Sequence, residues 1–221
     1  MTTLTSAPVA PLLDRLFAAA DDEAAPRKAA FSGISPAEVT RLRASKTEYL
    51  DFYCRMKDVP LAVSRETGTL LYMLARGTKA RNIVEYGASF GISTLHLAAA
   101  LRDNGGGRLI TTEFEPSKVA RARENLTAGG LIDLVEIRHG DALQTLKTEL
   151  PETIDLVLLD GAKPLYPEIL ALLEGRLRAG AFIVADDADA SPDYLARVRS
   201  TGHGYLSTPF GGDVEVSMRL I

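Results

Sequence analysis

A chain of 221 residues with 46% hydrophobic and 24% charged content can bury one substantial core and reads as a single domain. Its net charge of -4 and lack of any long Lys/Arg block exclude a sequence-independent grip on nucleic-acid phosphates. Cys54 is the only cysteine, which excludes an intramolecular disulfide and a thiolate metal site and points to a reducing compartment, by default the cytoplasm.

Residues 1–25 carry no basic leader, and Asp14 and Arg15 interrupt the apolar run. The segment therefore reads neither as a signal peptide nor as a membrane span, but as a loose tail passing into an amphipathic helix. From about Leu12 to Gly77, apolar residues recur at helical spacing: Leu12, Leu13, Leu16 and Phe17, then Val39, Leu42, Tyr49, Leu50 and Tyr53, then Leu70, Leu71 and Leu74. Ser35-Pro36-Ala37-Glu38 supplies an N-cap serine, a proline at the first helical position and a glutamate at the third, and Gly77 is the expected stop. Residues 1–80 are thus expected to form a helical extension that lids the site. Apolar helices outside the main sheet also suit a homodimer contact.

From Arg81 onward, short β-rich runs alternate with helical stretches. The expected strands are 82–85, 108–113, 134–138, 154–159 and 181–185, with helices over 94–102, 117–128, 142–150 and 165–178. Such alternation marks right-handed βαβ units and a largely parallel sheet. Tyr205-Leu-Ser-Thr and the run from Val214 to Ile221, joined through Pro209-Phe-Gly-Gly-Asp213, imply an antiparallel hairpin. The expected fold class is α/β: a doubly wound, Rossmann-like sheet of seven strands, mostly parallel, with a C-terminal antiparallel hairpin and extra N-terminal helices. Residues 81–221 form the core of that domain.

Open parallel sheets bind ligands beyond the carboxyl ends of their strands. After the first strand comes Glu85-Tyr-Gly87-Ala88-Ser-Phe-Gly91-Ile-Ser93, where Gly87 permits close backbone approach and the helix start offers free N–H groups. Glu113 closes the second strand, where an acid accepts hydrogen bonds from the two hydroxyls of a ribose. The spacing Gly-x-x-x-Gly lacks the third glycine of a dinucleotide fingerprint, which disfavours a nicotinamide oxidoreductase and suits a nucleoside with an amino-acid tail. Glu115, past the strand, reads as a solvated charge in the first helical turn.

Three further carboxylates follow apolar runs and should emerge together at one sheet edge: Asp160, and the pair Asp186-Asp187. Carboxylates so gathered attract a hard cation, and Lys163 stands beside them as a base or anion partner. Asp155 reads as structural. His96 and His139 have no acid or cysteine at metal spacing and read as structural or cofactor-adjacent.

The ordered set Glu85-x-Gly87-x-x-x-Gly91-x-Ser93, Glu113, His139-Gly-Asp141-Ala142, Asp160-x-x-Lys163 and Asp186-Asp187 resembles the class I S-adenosylmethionine-dependent O-methyltransferases. Within them it is similar to the cation-dependent catechol and caffeoyl-CoA group. The resemblance covers roughly Val63 to Asp187. It implies that Glu85 and Ser93, with Gly87 and Ala88 beside them, hold the methionine end of S-adenosylmethionine, and that Glu113 holds the ribose. It implies that Asp141 and Ala142 contact the adenine and that Val63 closes over the cofactor, with Asp160 also a cofactor contact. Asp160, Asp186 and Asp187 would ligate a divalent cation (Mg²⁺, or Mn²⁺ or Ca²⁺), and Asp160 and Lys163 would be catalytic, Lys163 as general base. The implied partner is a small hydroxylated aromatic acceptor, with no nucleic acid and no membrane.

Two departures from the family pattern stand out. Asp187 replaces the usual asparagine, which raises the formal charge of the carboxylate set. Gly161-Ala162, in a chain without tryptophan, is expected to leave room for a bulkier acceptor. The alternative is a non-catalytic or regulatory module that binds S-adenosylmethionine or another nucleoside.

Overall fold

In a computed structural model, residues 1–200 and 202–221 are described. Five helices precede the sheet: α1 (Val9–Asp21), α2 (Ala24–Ala30), α3 (Pro36–Ala44), α4 (Tyr49–Arg55) and α5 (Arg65–Gly77). The start of α3 follows from its sequence, since the Ser35 side chain accepts a hydrogen bond from Glu38 N at 3.2 Å and Pro36 fills the first helical position. The α5 helix begins the same way, with Ser64 Oγ accepting from Thr67 N at 3.0 Å.

Seven strands follow: β1 (Asn82–Tyr86), β2 (Arg108–Glu113), β3 (Val135–His139), β4 (Ile154–Leu159), β5 (Leu177–Ala185), β6 (Tyr205–Phe210) and β7 (Val214–Arg219). Their order across the sheet is β3-β2-β1-β4-β5-β7-β6. The pairs from β3 to β5 are parallel, and β7 runs antiparallel to both β5 and β6. This is the expected doubly wound sheet with a terminal hairpin. Winding reverses between β1 and β4, so the crevice beyond their carboxyl ends is the place where a ligand is expected. Pro209 sits within β6, which tolerates it because β6 is the sheet edge.

Alternation along the strands divides the core. Ile83, Leu109, Leu156 and Leu158 face one way, against α1, α5, α6 (Ile92–Asp103) and α7 (Pro116–Ala128). Val84, Ile110, Val157 and Leu159 face the other, against α8 (Ala142–Thr145), α9 (Tyr166–Leu173) and α10 (Pro192–Arg199). A smaller cluster, Leu42, Phe52, Met56 and Val59, holds α3 and α4 together apart from the sheet. All residues of α6 from Ile92 to Leu101 are buried, so this helix lies inside the protein rather than on its surface. The described residues contain no helix long and apolar enough to cross a membrane.

Three elements differ from expectation. The helix expected over 142–150 stops at Thr145, because the Arg138 guanidinium donates to the carbonyls of Thr145, Thr148 and Glu149 at 2.7, 2.8 and 3.0 Å and so holds that segment in a turn. The helix expected to reach 178 ends at Leu173, and a single 3₁₀ turn leads into β5 at Leu177. Gly180, at φ +79°, lies at the irregularity in the β4–β5 pairing that makes this early start compatible with the rest of the strand. Finally, α10 was not expected, although Ser191-Pro192-Asp193 repeats the kind of start seen at Ser35-Pro36, and Tyr194 and Val198 bury one face of it.

Candidate active site

The turn after β1 is shaped by three left-handed residues, Gly87 (φ +101°), Ser89 (φ +46°) and Gly91 (φ +87°). Gly87 is required by its neighbour: a Cβ there would lie 2.8 Å from Asp160 O and 2.9 Å from Gly161 N. The sequence suggested that this glycine admits a ligand; what it admits is the backbone after β4. Tyr86 O accepts from Asp160 N at 2.9 Å, which locks the ends of β1 and β4 side by side.

Beyond these ends lies a first cleft, bordered by Gly87, Ser89, Glu113, Asp141, Ala142 and Asp160 and roofed by Tyr49, Leu50 and Tyr53 of α4. Glu113 is held from behind, Oε2 accepting from Ser89 N at 2.9 Å and Oε1 from Glu115 N at 3.0 Å. Asp141 caps α8 by accepting from Leu143 N at 2.9 Å. Ala88 is buried, and its N–H donates to Thr112 O at 3.0 Å.

Glu85 and Ser93 lie under this turn rather than on the cleft surface. The Glu85 carboxyl is fully buried and accepts three hydroxyls, from Ser93 at 2.5 Å, Thr94 at 2.6 Å and Thr111 at 2.5 Å. Burial pushes this carboxyl up to about 7 despite the three donors. Glu115 is not the solvated charge expected of it. It is 8% exposed and caps α7, accepting from Lys118 N at 2.9 Å and from the Ser117 hydroxyl.

A second cleft adjoins the first and shares Asp160 with it. Lys163, Asp186, Asp187 and Asp213 line its floor, while Val63, Phe31 just past the end of α2, Val39 of α3 and Phe52 of α4 line its walls. Lys163 and Asp160 form a buried ion pair at 2.7 Å, and Asp187 Oδ2 is 3.6 Å from the same ammonium. Burial alone would lower the Lys163 pKa, but Asp160, Tyr166, Tyr53 and Asp186 raise it well above the ordinary lysine value, so the group stands as an ammonium. Burial, then the negative charge of Asp160, Asp187 and Asp213, pushes the Asp186 carboxyl up to about 8, although Lys163 opposes this. Asp187 adopts φ +50° and also meets Arg43 of α3 at 3.5 Å.

The three expected ligands thus share one floor, together with Asp213. They are all oxygen donors, four carboxyl groups beside the cations Lys163 and Arg43, which suits a hard cation in kind. Among the described residues, however, no three acidic, histidine or cysteine side chains converge into a ready chelate, and Lys163 is the cation that Asp160 engages.

Of the other candidates, Asp155 accepts from Arg81 N and Asn82 N at 2.7 and 2.9 Å and pairs with Arg178, a structural clamp at the far end of the sheet. His96 is buried with Nδ1 at 2.8 Å from Ile92 O, and His139 Nε2 lies 3.1 Å from Phe114 O. Among the described residues neither forms an ion pair with a carboxylate. The room expected from Gly161 is already filled: a Cβ there would fall 2.4 Å from Tyr86 Cζ, so the residue is small to fit this ring. Arg43, Tyr53, Lys118 and Asp213 border the clefts without having been singled out in the sequence. Only Asp213, beside a glycine pair in a hairpin turn, carried a local sign.

The family described as "Methyltransferase domain" matches residues 84–188. A catechol O-methyltransferase of Niastella koreensis is 38% identical over 130 residues, 58% of either chain. A Mycolicibacterium smegmatis protein bearing an O-methyltransferase name is 32% identical over 148 residues, 62% of this chain and 70% of its own. The crystal structure of the O-methyltransferase TomG of Streptomyces achromogenes, in complex with S-adenosylmethionine, matches with a TM-score of 0.65 at 27% identity, over 85% of this chain and 91% of that one. The chain spans about three fifths of the length of the curated catechol O-methyltransferases it matches.

Proposed function

Because this chain belongs to the class I S-adenosylmethionine-dependent O-methyltransferases, we propose that it moves the methyl group of S-adenosylmethionine to a hydroxyl of a small catechol-like or phenolic acceptor. The observation that carries this reading is the position of the Asp160–Lys163 pair. It is buried, its N–O distance is 2.7 Å, and Asp160 borders both clefts. A donor held in the first cleft and an acceptor held in the second would meet at that pair.

In this reading the first cleft takes the donor, with the ribose on Glu113, the adenine by Asp141 and Ala142, and the methionine end along Gly87 and Ala88. Glu85 acts through the Ser93 hydroxyl that it accepts. Helix α4 of the N-terminal extension covers the bound donor, whereas Val63, expected to close over it, stands in the wall of the second cleft. The acceptor lies over the floor of the second cleft, its hydroxyl toward Lys163 Nζ; once that nitrogen has given up the proton it holds, it takes the hydroxyl proton as the oxygen attacks the methyl carbon and the carbon–sulfur bond breaks to release S-adenosylhomocysteine. The protein's contribution is alignment, proton removal and a fixed electrostatic field.

A divalent ion is part of the same proposal, with Asp160, Asp186 and Asp187 as its oxygen ligands. It would supply the positive charge that lowers the pKa of the acceptor hydroxyl and offsets the carboxylates that now hold the proton on Lys163. The test is methyl transfer from labelled S-adenosylmethionine to catechol, with Mg²⁺ and with EDTA. Chelation should abolish turnover while calorimetry still detects binding of S-adenosylhomocysteine. Undiminished turnover in EDTA would remove the ion from the proposal, and no transfer to any phenolic or catechol acceptor would remove the activity itself. The non-catalytic alternative gains no support from the comparisons.

A further inference from the structure

Lys118, on the first turn of α7, is 3% exposed yet borders the first cleft beside Glu113 and Ser89. A buried ammonium is ordinarily matched by a close carboxylate, because removing the charge from water costs several kcal/mol. Among the described residues Lys118 has no carboxylate within the 4.0 Å of an ion pair. Its Nζ makes one long hydrogen bond, 3.5 Å to Ser89 Oγ, and lies 5.7 Å from the centroid of the Phe90 ring.

The nearby acids are engaged elsewhere. Both Glu113 oxygens accept main-chain N–H groups, and Glu115 caps the helix. An ammonium has three N–H donors, and one long bond to Ser89 leaves at least two without a protein acceptor. Glu113 presents only acceptors to the cleft and Lys118 only donors. A ribose diol is complementary to such a pair, since each hydroxyl can donate to the carboxylate while its oxygen accepts from the ammonium.

We propose that Lys118 is a second ribose-binding residue, its Nζ donating to an oxygen of the same diol whose protons go to Glu113. The proposal rests on the reading that the first cleft takes S-adenosylmethionine.

The test measures binding of S-adenosylhomocysteine and of its 2′-deoxy and 3′-deoxy analogues by calorimetry, in the unaltered protein and in Lys118→Met and Lys118→Arg. In the unaltered protein, loss of the contacted hydroxyl should weaken binding about 10- to 100-fold. In Lys118→Met, S-adenosylhomocysteine itself should bind more weakly by a similar factor, and the penalty for that one deoxy analogue should shrink by about tenfold. Lys118→Arg should restore most of the penalty and provides the reading should the methionine variant fail to fold. If Lys118→Met keeps the full penalty for both analogues, whatever happens to its melting temperature, the residue is structural and the proposal fails. If the unaltered protein does not bind S-adenosylhomocysteine at all, the assignment of the cleft fails first.

Discussion

Replacing Gly161 by alanine isolates the packing that joins the two clefts. The new methyl would stand 2.4, 2.5 and 2.6 Å from Cζ, Cε1 and Cε2 of Tyr86, inside the contact limit for carbon. The ring has little freedom to retreat. It is 7% exposed, it meets Tyr166 edge-on at a centroid distance of 6.3 Å, and its hydroxyl accepts from Ala162 N at 3.1 Å, next to the substituted position. Gly161 is not among the glycines with positive φ, so alanine meets no backbone strain; in open space it would stabilise the fold by about 0.4–1 kcal/mol through the unfolded chain. Overpacking reverses that sign, at a cost of about 1–3 kcal/mol. For a chain of this length that corresponds to a fall in Tm of about 2–12 °C. Thermal melts of Gly161→Ala, Tyr86→Leu and the double variant supply the check, because leucine vacates the space the methyl needs. The double variant should be less destabilised than the sum of the two singles by about 1 kcal/mol or more. A Gly161→Ala protein as stable as the parent, or strictly additive losses, would refute the reasoning.

Two further outcomes can be measured. The Glu85 carboxyl is raised from 4.5 to about 7 in the folded protein, so its stabilising effect is complete below about pH 4.5 and is lost as pH rises through about 7. Urea unfolding from pH 4.5 to 8 should therefore show parent stability falling relative to Glu85→Gln, by about 3 kcal/mol at most for a shift of this size; parallel curves would contradict the burial argument. Arg138→Met removes the donor that holds the carbonyls of Thr145, Thr148 and Glu149, so amide exchange across 145–150 should accelerate with a loss of about 2–4 kcal/mol in stability. Unchanged exchange in that segment would mean the turn is held by something else.

The sheet was legible because its strands are local statements. The runs at 108–113 and 154–159 are short and rich in strand formers, the first ending on Glu113 and the second followed by Asp160, and the observed strands have those same limits. Asp155 and Asp160 are five positions apart, with Asp160 just past the end of β4, an odd step that sets them on opposite sides if the strand is regular. What sequence did not disclose depends on distant partners. Gly161 is small because of Tyr86, Arg138 ends a helix whose own residues would continue it, and Glu115 is drawn inward by the Lys118 N–H group. The floor residues Asp160, Lys163, Asp186 and Asp187 could be picked out as strand-end acids and their neighbour, but the approach of Arg43 to Asp187 from a helix far earlier in the chain could not.

Asp160, Lys163 and the other acids of the floor come from the ends of β4, β5 and the terminal hairpin, whereas the apolar wall facing them is built from Phe31, Val39 of α3 and Phe52 of α4. If the second cleft takes the acceptor as proposed, chemistry and acceptor shape are written in separate stretches of the chain. Exchanging residues 24–60 between relatives would then be a route to new acceptors that leaves the turns after β1 and β2 intact, apart from the roof on α4. Tyr53, whose hydroxyl donates to Gly161 O at 3.3 Å, and Lys46, which meets Glu168 at 2.7 Å, are contacts such a graft would have to carry across unchanged.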